Sequence, residues 1–459
     1  MKRVFLFLLS GILVCQGGFS QKKIWDETEE EKTERLSWWT EARFGMFIHW
    51  GLYALPARHE WIKKRERISD EEYQKYFEIF NPDLFRPAEW AKKAKAAGMK
   101  YAVITAKHHE GFCMFDSKFT DYDVMNTPYG KDIIKEWVEA FRAEGLKIGF
   151  YYSLLDWHHP QYTIDKNHPQ SPEKQEEEGY DRLNKGRDMA IYREYVKNQV
   201  RELLTNYGKI DILWLDFSFP GKFGKGREDW GSVELVKMVR QLQPEIILND
   251  RADLGDYWGG WDFITPEQYH VDKWPEIDGK RIPWETCQTF SGSWGYYRDE
   301  YTWKSIPQLL GLLIETVGKG GNLLLNVGPT GRGTFDYRAD QALKGIEEWM
   351  KFNSRSIYGC TEAPDEFAVP DNSLLTYNPK TNRLYIHLLY YPLQTLRLPG
   401  YKGKVQYAQF LHDASEIKIT EPPQRSRSGD TQNGENDLVL HLPVGKPNVE
   451  IPVIEVFLK

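Results

Sequence analysis

One carboxylate stands at the end of an apolar segment, where a charge is unfavourable unless it is hydrogen-bonded or has a chemical role. Residues 210–217 are hydrophobic apart from Asp211 and Asp216, and Asp216 ends a run that has the composition of a buried strand. A carboxylate held there can attack the anomeric carbon of a sugar, provided that a second carboxyl group lies about 5 Å away to protonate the departing oxygen. The alternative interpretation is that Asp216 caps the turn that follows it.

Three glutamates are candidates for the second carboxyl group. Glu267 and Glu285 each lie at the end of a short predicted strand, and Glu60 lies in a loop after the first strand. Neighbouring strands are only about 4.8 Å apart, so Glu267, Arg251 and Asp216, which follow consecutive predicted strands, would be close in space. We favour Glu267 as the acid/base. Glu285 is the alternative, although we interpret it first as a buried structural partner under the pocket floor.

Imidazoles, an arginine and aromatic rings accompany these carboxylates at the ends of predicted strands. The mixture suits a carbohydrate, because hydroxyls bind charged partners while the C–H faces of a sugar ring pack on aromatic side chains. A metal site is not expected: His108 and His109 are adjacent and would point to opposite faces of a strand, and the chain has neither an HxH nor an HExxH motif. No cofactor is predicted. The candidate binding residues at these strand ends are His49, His108, His109, Tyr152, Trp214 and Arg251.

A barrel would bring these strand ends to one face. Apolar runs typical of strands lie at residues 44–50, 101–105, 147–152, 212–216, 246–249, 262–265, 284–286 and 322–327, with amphipathic helical segments between most of them. This alternation predicts an α/β fold of the (β/α)8-barrel type, since no GxGxxG motif follows a strand to favour a doubly wound sheet. The sixth and seventh strands are the weakest predictions, because little helix fits between Pro266 and Pro283.

The composition of the chain changes near residue 354. All 17 tryptophans lie between Trp25 and Trp349. Beyond that point, short alternating segments at residues 383–390, 395–398 and 437–442 are separated by Gly, Pro and Asn, a pattern typical of an antiparallel β-sandwich. We therefore predict a catalytic barrel over residues 21–354 and a C-terminal β-sandwich over residues 355–459, with an exposed loop at residues 422–436.

The amino terminus has the features of a secretory signal. Lys2 and Arg3 precede an apolar run at residues 4–14, which is shorter than the roughly 20 residues needed to span a bilayer, and small residues stand at positions 18 and 20. We predict a signal peptide over residues 1–20 and an exported protein, periplasmic or secreted. A lipid anchor at Cys15 is the less favoured alternative, because Val14 is larger than the residue that a lipoprotein signal prefers there.

Charge and cysteine content exclude other classes of protein. The 459-residue chain has 60 basic and 67 acidic residues, which gives a net charge of −7. Residues of the two signs are interspersed along the chain, so a nucleic-acid partner is not expected. Hydrophobic residues make up 41% of the chain, enough to build a packed core. Beyond the signal, the three cysteines Cys113, Cys287 and Cys360 are too few for a disulfide framework and lack the spacing of a zinc site.

Several short segments, taken in order, resemble the retaining α-L-fucosidases of glycoside hydrolase family 29. They include Lys107-His-His-Glu-Gly-Phe, Trp214-Leu-Asp, Asn249-Asp-Arg and Thr265-Pro-Glu. Each segment is modest alone, whereas the ordered set, which spans about residues 36–353, is specific. The full set lies at residues 38–51, 59–61, 101–115, 150–153, 214–216, 249–251, 265–267, 284–287, 293–296 and 321–329.

The resemblance implies that Asp216 is the nucleophile and forms a covalent fucosyl-enzyme. The Thr-Pro-Glu motif supports Glu267 as the acid/base, while the Trp-Glu-Thr-Cys motif keeps Glu285 as the alternative. Phe47 and Trp294 are expected to pack on the C6 methyl group. The residues that the resemblance places around the fucose ring and hydroxyls are His49, Glu60, Trp61, His108, His109, Tyr152 and Arg251.

The expected activity is that of a retaining exo-α-L-fucosidase, which removes terminal α-L-fucose from oligosaccharides or glycoconjugates by double displacement. An α-L-galactosidase with the same mechanism is one alternative, because α-L-galactosides differ from fucosides only by a hydroxyl at C6. A non-catalytic glycan-binding homologue is the other, and it would bind sugar without releasing product.

Overall fold

The computed structural model describes residues 22–422 and 434–459, and its larger part is a curled parallel sheet covered by helices. The strands in chain order are β1 (Phe44–Ile48), β2 (Tyr101–Lys107), β3 (Lys147–Ser153), β4 (Ile212–Asp216), β5 (Ile247–Leu248), β6 (Glu285–Thr289) and β7 (Asn322–Val327). They pair in the order β6-β7-β1-β2-β3-β4-β5, and every pairing is parallel. Strands β1 and β7 are buried along their whole length, as expected for a parallel sheet covered on both faces.

The helices that cover the sheet begin where side chains accept hydrogen bonds from free backbone N–H groups. Thr28 and Glu31 form a capping box at the start of the first helix, and Ser305 and Gln308 form another at the start of a later one. The helices are α1 (Glu29–Ala42), α2 (Ile62–Arg65), α3 (Asp70–Ile79), α4 (Pro87–Ala96), α5 (Ile133–Ala143), α6 (Glu177–Asn184), α7 (Met189–Asn206), α8 (Arg227–Trp230), α9 (Ser232–Leu242), α10 (Ile306–Gly318) and α11 (Tyr337–Asn353).

The predicted sixth strand, at residues 262–265, does not form, and that prediction is wrong. The segment instead bridges β5 and β6 through isolated parallel pairs, Asn249 with Phe263 and Ile264 with Trp284. One physical reason is that the Asp262 carboxylate accepts the N–H of Leu248 (2.8 Å), so a side chain supplies a hydrogen bond that a strand would take from its backbone. The segment still closes the barrel between its two edge strands.

Asp262 also ties this closure to the surrounding helices. Its carboxylate, fully buried, accepts hydrogen bonds from Arg35 (2.8 Å) on α1 and from Arg240 (2.8 Å) on α9. Burial opposes the charge of Asp262, but the two arginines hold the pKa of the carboxyl well below its ordinary value. The barrel is therefore closed at its weakest point by a buried ionic network rather than by a regular ladder.

The C-terminal part consists of two antiparallel sheets packed on a separate apolar core. Its strands are β8 (Ser373–Asn378), β9 (Arg383–Leu388), β10 (Thr395–Leu398), β11 (Val405–Phe410), β12 (Lys418–Thr420), β13 (Leu438–His441) and β14 (Val453–Leu458). One sheet has the order β8-β9-β14-β11 and the other the order β10-β13-β12. The last barrel helix ends at Asn353, and its Trp349 ring donates a hydrogen bond to the Ile451 carbonyl (3.2 Å), which joins the two parts.

Two predicted segments fall largely or wholly outside the described residues. The signal peptide at residues 1–20, with Cys15, is one, and most of the loop at residues 422–436 is the other. Within residues 22–422 and 434–459, no helix is both long and apolar enough to cross a bilayer.

Candidate active site

A cavity of about 410 Å³ opens at the carboxyl ends of the barrel strands. Its size is within the range typical of small-molecule sites. All but two of the residues proposed from the sequence for the site line it; the exceptions are Tyr152 and Glu285. The lining residues are Phe47, His49, His59, Glu60, Trp61, Arg65, His108, His109, Tyr151, Trp214, Asp216, Phe217, Arg251, Glu267, Gln268, Cys287, Gly292 and Trp294.

Asp216 is the last residue of β4, and two donors hold its carboxylate. The guanidinium of Arg251 donates to Oδ1 (2.8 Å) and the hydroxyl of Tyr151 donates to Oδ2 (2.6 Å). No helix begins at this point, since the next one, α8, starts at Arg227, so the interpretation of Asp216 as a helix cap does not hold. The two donors orient the carboxylate, and only 9% of the Asp216 side chain is exposed to the cavity.

Glu267 lies at the mouth of the same cavity, beside the same arginine. Its Oε2 is 2.9 Å from Nη1 of Arg251, the nitrogen that also contacts Asp216. Because both carboxylate oxygens lie less than 3 Å from one nitrogen, they lie less than about 6 Å from each other, which includes the roughly 5–5.5 Å separation of a retaining glycosidase. The Glu267 side chain is 42% exposed, so solvent and a departing group can reach it.

Arg251 is itself held rigidly. Its Nε donates to the hydroxyl of Thr265 (2.9 Å), its Nη2 donates to the Thr265 carbonyl (3.2 Å), and its guanidinium lies 4.5 Å from the ring centre of Trp214. Burial opposes the charge of Arg251, but Asp216 and Glu267 raise its pKa above the ordinary value. The arginine is thus a fixed positive charge between the two carboxylates.

Glu285 does not reach the cavity. Its side chain is fully buried and accepts hydrogen bonds from the hydroxyl of Tyr101 and from the indole of Trp214 (3.4 Å). Burial raises the pKa of Glu285 to about 7. The geometry matches the buried position under the pocket floor and gives no support to Glu285 as the acid/base.

Glu60 lines the cavity and contacts the loop at residues 293–295. One oxygen, Oε2, accepts from the Ser293 hydroxyl (3.1 Å) and from the backbone N–H groups of Trp294 (3.1 Å) and Gly295 (2.9 Å). Burial raises the pKa of Glu60 to about 7, while these donors oppose the shift. Glu60 therefore anchors the loop that carries Trp294 and titrates near neutral pH.

His108 and His109 both line the cavity, so the expectation that they point to opposite faces is wrong. Strand β2 ends at Lys107, and side-chain alternation does not extend beyond the strand; the two ring centres are 4.0 Å apart. Burial lowers the pKa of both rings, that of His109 to about 3. Among the described residues, no group of three or more His, Cys, Asp or Glu side chains is arranged to hold a metal ion.

Tyr151, not Tyr152, faces the cavity, which corrects the prediction for this strand. In the register of β3 and β4, Tyr151 pairs with Trp214 while Tyr152 pairs with Leu215. Paired residues of parallel strands point to the same face, so Tyr151 shares the inner face with Trp214, and the two rings stack 5.8 Å apart. The hydroxyl of Tyr152 instead donates to Gln199 (2.8 Å) on α7.

Phe217 is a second residue that the sequence analysis missed. It follows Asp216 directly and has a φ of +86°, a conformation unusual for a bulky side chain. Its ring contacts those of Trp61 and His109 at the cavity wall. Its position next to Asp216 was the available signal, but nothing in the sequence predicts the left-handed backbone that turns the ring into the cavity.

The comparisons with known proteins agree on one family. A family model described as Alpha-L-fucosidase matches residues 14–355. Tissue alpha-L-fucosidase of Mus musculus is 28% identical over 78% of this chain and 78% of its own length. Plasma alpha-L-fucosidase of Homo sapiens is 29% identical over 78% of this chain and 76% of its own length.

Solved structures show the same likeness. Alpha-L-fucosidase isoenzyme 1 from Paenibacillus thiaminolyticus superimposes with a TM-score of 0.84 and 41% identity, over 93% of this chain and 99% of its own. A GH29 alpha-L-fucosidase from Bacteroides thetaiotaomicron, solved as a trapped covalent intermediate with 2-fluoro-fucosyl fluoride, has a TM-score of 0.77 and 27% identity, over 96% of this chain and 98% of its own. With the barrel and its carboxylate-lined cavity, these matches show that the chain belongs to the alpha-L-fucosidase family, glycoside hydrolase family 29.

Proposed function

We propose that the chain hydrolyses terminal α-L-fucosides of glycans with Asp216 as nucleophile and Glu267 as acid/base. The observation that carries these roles is that both carboxylates contact the same nitrogen of Arg251 at one cavity. The activity is that of the family, in which retention proceeds through a covalent intermediate. Asp216 lies in the buried part of the cavity and Glu267 at its exposed mouth, which suits a terminal sugar held inside and the rest of the glycan outside.

In the first step, Asp216 attacks C1 of fucose while the bond from C1 to the glycosidic oxygen breaks. Glu267 donates its proton to that oxygen, and the glycan leaves as an alcohol. In the second step, the Glu267 carboxylate takes a proton from water, whose oxygen attacks C1 and releases Asp216 as a free carboxylate. Two inversions at C1 give net retention, so α-L-fucose should be the first product seen by proton NMR.

The nucleophile is tested by Asp216→Gly, which should abolish turnover of an aryl α-L-fucoside, with partial restoration by azide. Asp211→Asn is the matched control, because Asp211 lies at the opposite end of the same segment and accepts the N–H of Ile148 (2.9 Å) away from the cavity. Near-native turnover by Asp216→Gly without azide would contradict the assignment.

The acid/base is tested by comparing Glu267→Ala with Glu285→Ala. Removal of the acid should slow substrates with poor leaving groups far more than aryl substrates with good ones, because only the former need protonation. We expect this pattern for Glu267→Ala. The same pattern in Glu285→Ala, with none in Glu267→Ala, would transfer the role to Glu285.

The two alternative functions have direct tests. The aromatic wall formed by Phe47 and Trp294 supports an apolar C6 methyl group over a hydroxymethyl group, so paired aryl fucosides and galactosides should favour the fucoside. A glycan-binding homologue would bind fucose without releasing the aryl group from either substrate.

We also propose that the protein is exported after removal of residues 1–20, on the strength of the charged and apolar pattern at its amino terminus. Mass spectrometry of the mature protein recovered from culture medium or periplasm should show an amino terminus at Gln21. A mature chain that still begins at Met1 would contradict the proposal.

A further inference from the structure

Two of the cavity histidines have a buried partner on the ring nitrogen that faces away from the cavity. Asn326 contacts Nδ1 of His49 (2.6 Å), and Ser153 contacts Nδ1 of His109 (2.7 Å). We propose that Asn326 and Ser153 fix both rings with the proton on Nδ1, so that each presents a bare Nε2 that only accepts hydrogen bonds from sugar hydroxyls. The sugar-binding part of this inference rests on the proposed function; the tautomers themselves do not.

The amide of Asn326 can act on His49 only as an acceptor. Its Nδ2 donates to the carbonyl of Trp294 (2.7 Å), and the reverse orientation would place two oxygens against each other. Oδ1 of Asn326 therefore faces Nδ1 of His49. Because an amide oxygen carries no hydrogen, the proton in this short contact belongs to His49.

The hydroxyl of Ser153 leads to the same result for His109. A serine hydroxyl has one hydrogen, and that of Ser153 is donated to the carbonyl of Leu155 (2.7 Å). The contact between Ser153 and His109 can then exist only if Nδ1 of His109 donates. Ser153 lies opposite Asp216 in the register of β3 and β4, which is what brings its hydroxyl beneath the cavity.

Both rings are neutral over the range in which the enzyme would work. Burial lowers the pKa of His49 and of His109 to about 3, and neighbouring positive charge acts in the same direction. A neutral imidazole carries one proton, so a proton on Nδ1 leaves Nε2 with a free lone pair. His49 and His109 then act as acceptors toward any ligand in the cavity.

This arrangement determines which groups can bind to the two rings, and it keeps the His109 ring from donating a hydrogen bond to the nucleophile Asp216. A sugar hydroxyl that faces either ring must donate its hydrogen there, so a group that accepts without donating does not replace it. Nε2 of His109 lies 4.0 Å from Oδ2 of Asp216. Without a proton on that nitrogen, His109 directs no further donor at Asp216, and the negative charge is held by Arg251 and Tyr151.

His387, in the C-terminal sandwich, serves as an internal control because its contacts predict the opposite tautomer. The hydroxyl of Thr376 donates to the carbonyl of Ser356 (2.7 Å) and lies 2.9 Å from Nε2 of His387. By the same reasoning, His387 carries its proton on Nε2. The tautomer of His108 is not fixed in this way, because no hydrogen-bond partner contacts its Nδ1 within the described part of the chain.

The tautomers are measured on the full chain without substrate, by multiple-bond NMR of nitrogen-15-labelled histidine near neutral pH. The signals are assigned by their loss in His49→Gln, His109→Gln and His387→Gln. We expect protonated Nδ1 for His49 and His109, and protonated Nε2 for His387. A proton on Nε2 of either cavity histidine, or two protons on one ring, would overturn the proposal, whether or not the chain cleaves fucosides.

The positioning role is tested by Ser153→Ala against Thr376→Val. Each change removes a buried hydroxyl that links a carbonyl to a histidine, so both should lower the melting temperature. Only Ser153→Ala should lower kcat/KM for an aryl fucoside, by about tenfold for one lost hydrogen bond, and displace the His109 signals. Unchanged kcat/KM in Ser153→Ala, or an equal loss in Thr376→Val, would refute the role. If Ser153→Ala does not fold, the spectrum of the unmodified chain decides.

The acceptor role is tested with L-fucose analogues in which one ring hydroxyl is replaced by hydrogen or by fluorine, which accepts but does not donate. A sugar hydroxyl faces one of the two rings if its replacement raises Kd for the unmodified protein but not for His49→Ala or His109→Ala. At these positions, the fluoro analogue should bind as weakly as the deoxy analogue. A fluoro analogue that binds like fucose itself would show that the ring donates.

Discussion

The contact between Tyr151 and Asp216 gives the sharpest prediction for the catalytic machinery. The tyrosine hydroxyl donates to Oδ2 of the carboxylate at 2.6 Å, and both side chains are almost fully buried. A buried hydrogen bond to a charged group is worth about 1.5–3 kcal/mol, so Tyr151→Phe should lower kcat/KM for an aryl α-L-fucoside by about 10- to 150-fold. The loss arises because the carboxylate must then be oriented by Arg251 alone during attack on C1.

Tyr152→Phe is the matched control, one residue along the same strand. Its hydroxyl donates to Gln199 on the outer side of the barrel, so its loss should lower stability by about 1 kcal/mol and leave kcat/KM unchanged. Initial rates at low substrate and thermal unfolding of both variants provide the measurement. If Tyr151→Phe retained kcat/KM within about twofold, or if Tyr152→Phe lost as much, then the assignment of the inner face would be wrong.

Three further predictions concern buried carboxyl groups. Asp262→Ala leaves Arg35 and Arg240 without their shared carboxylate, and it should lower the free energy of unfolding in urea by about 3–5 kcal/mol; a loss below about 1 kcal/mol would refute the network's role in closing the barrel. Burial raises the pKa of Glu285 from 4.5 to about 7, so the folded state holds a proton that the unfolded state releases between these values. The free energy of unfolding should therefore fall as pH rises through this interval, and Glu285→Gln should lose that part of the pH dependence. If urea unfolding gave the same dependence of this free energy on pH in both proteins, the result would contradict the prediction. Burial likewise raises the pKa of Glu60, at the cavity wall, to about 7. Affinity for L-fucose should rise with pH through about 7, as the carboxylate ionises and accepts hydroxyl hydrogens more strongly, and calorimetry of Glu60→Gln should show no such rise.

Much of the site could be predicted because the ends of strands can be located from the amino-acid sequence alone. Asp216, Arg251 and Glu267 each follow an apolar segment, and parallel strands in a barrel bring such ends to one face whatever lies between them. The resemblance to a known family strengthened the interpretation of these three residues. The resemblance did not resolve which of two adjacent residues, such as Tyr151 and Tyr152, faces the cavity.

Two of the errors concern side-chain direction, and the third concerns a side chain that replaces a backbone hydrogen bond. Tyr152 was predicted where Tyr151 lies because the two are adjacent residues of the same type, and only the pairing with β4 distinguishes them. His108 and His109 were expected on opposite faces because the side-chain alternation of a strand was applied beyond the end of the strand, which lies at Lys107. The strand predicted at residues 262–265 failed because the buried Asp262 carboxylate, rather than its backbone, receives the N–H of Leu248.

The class of fold, most of the order of its elements and the types of side chain available for glycoside chemistry follow from the amino-acid sequence alone, because hydrophobic period and strand-end composition are local properties. The folded chain is needed to establish which carboxylates contact one arginine, which tyrosine contacts Asp216, and which partners accept the Nδ1 protons of His49 and His109. These choices depend on distances of a few ångströms between residues far apart in the chain. Strand register and the curl of the sheet set such distances, and no local pattern encodes either of them.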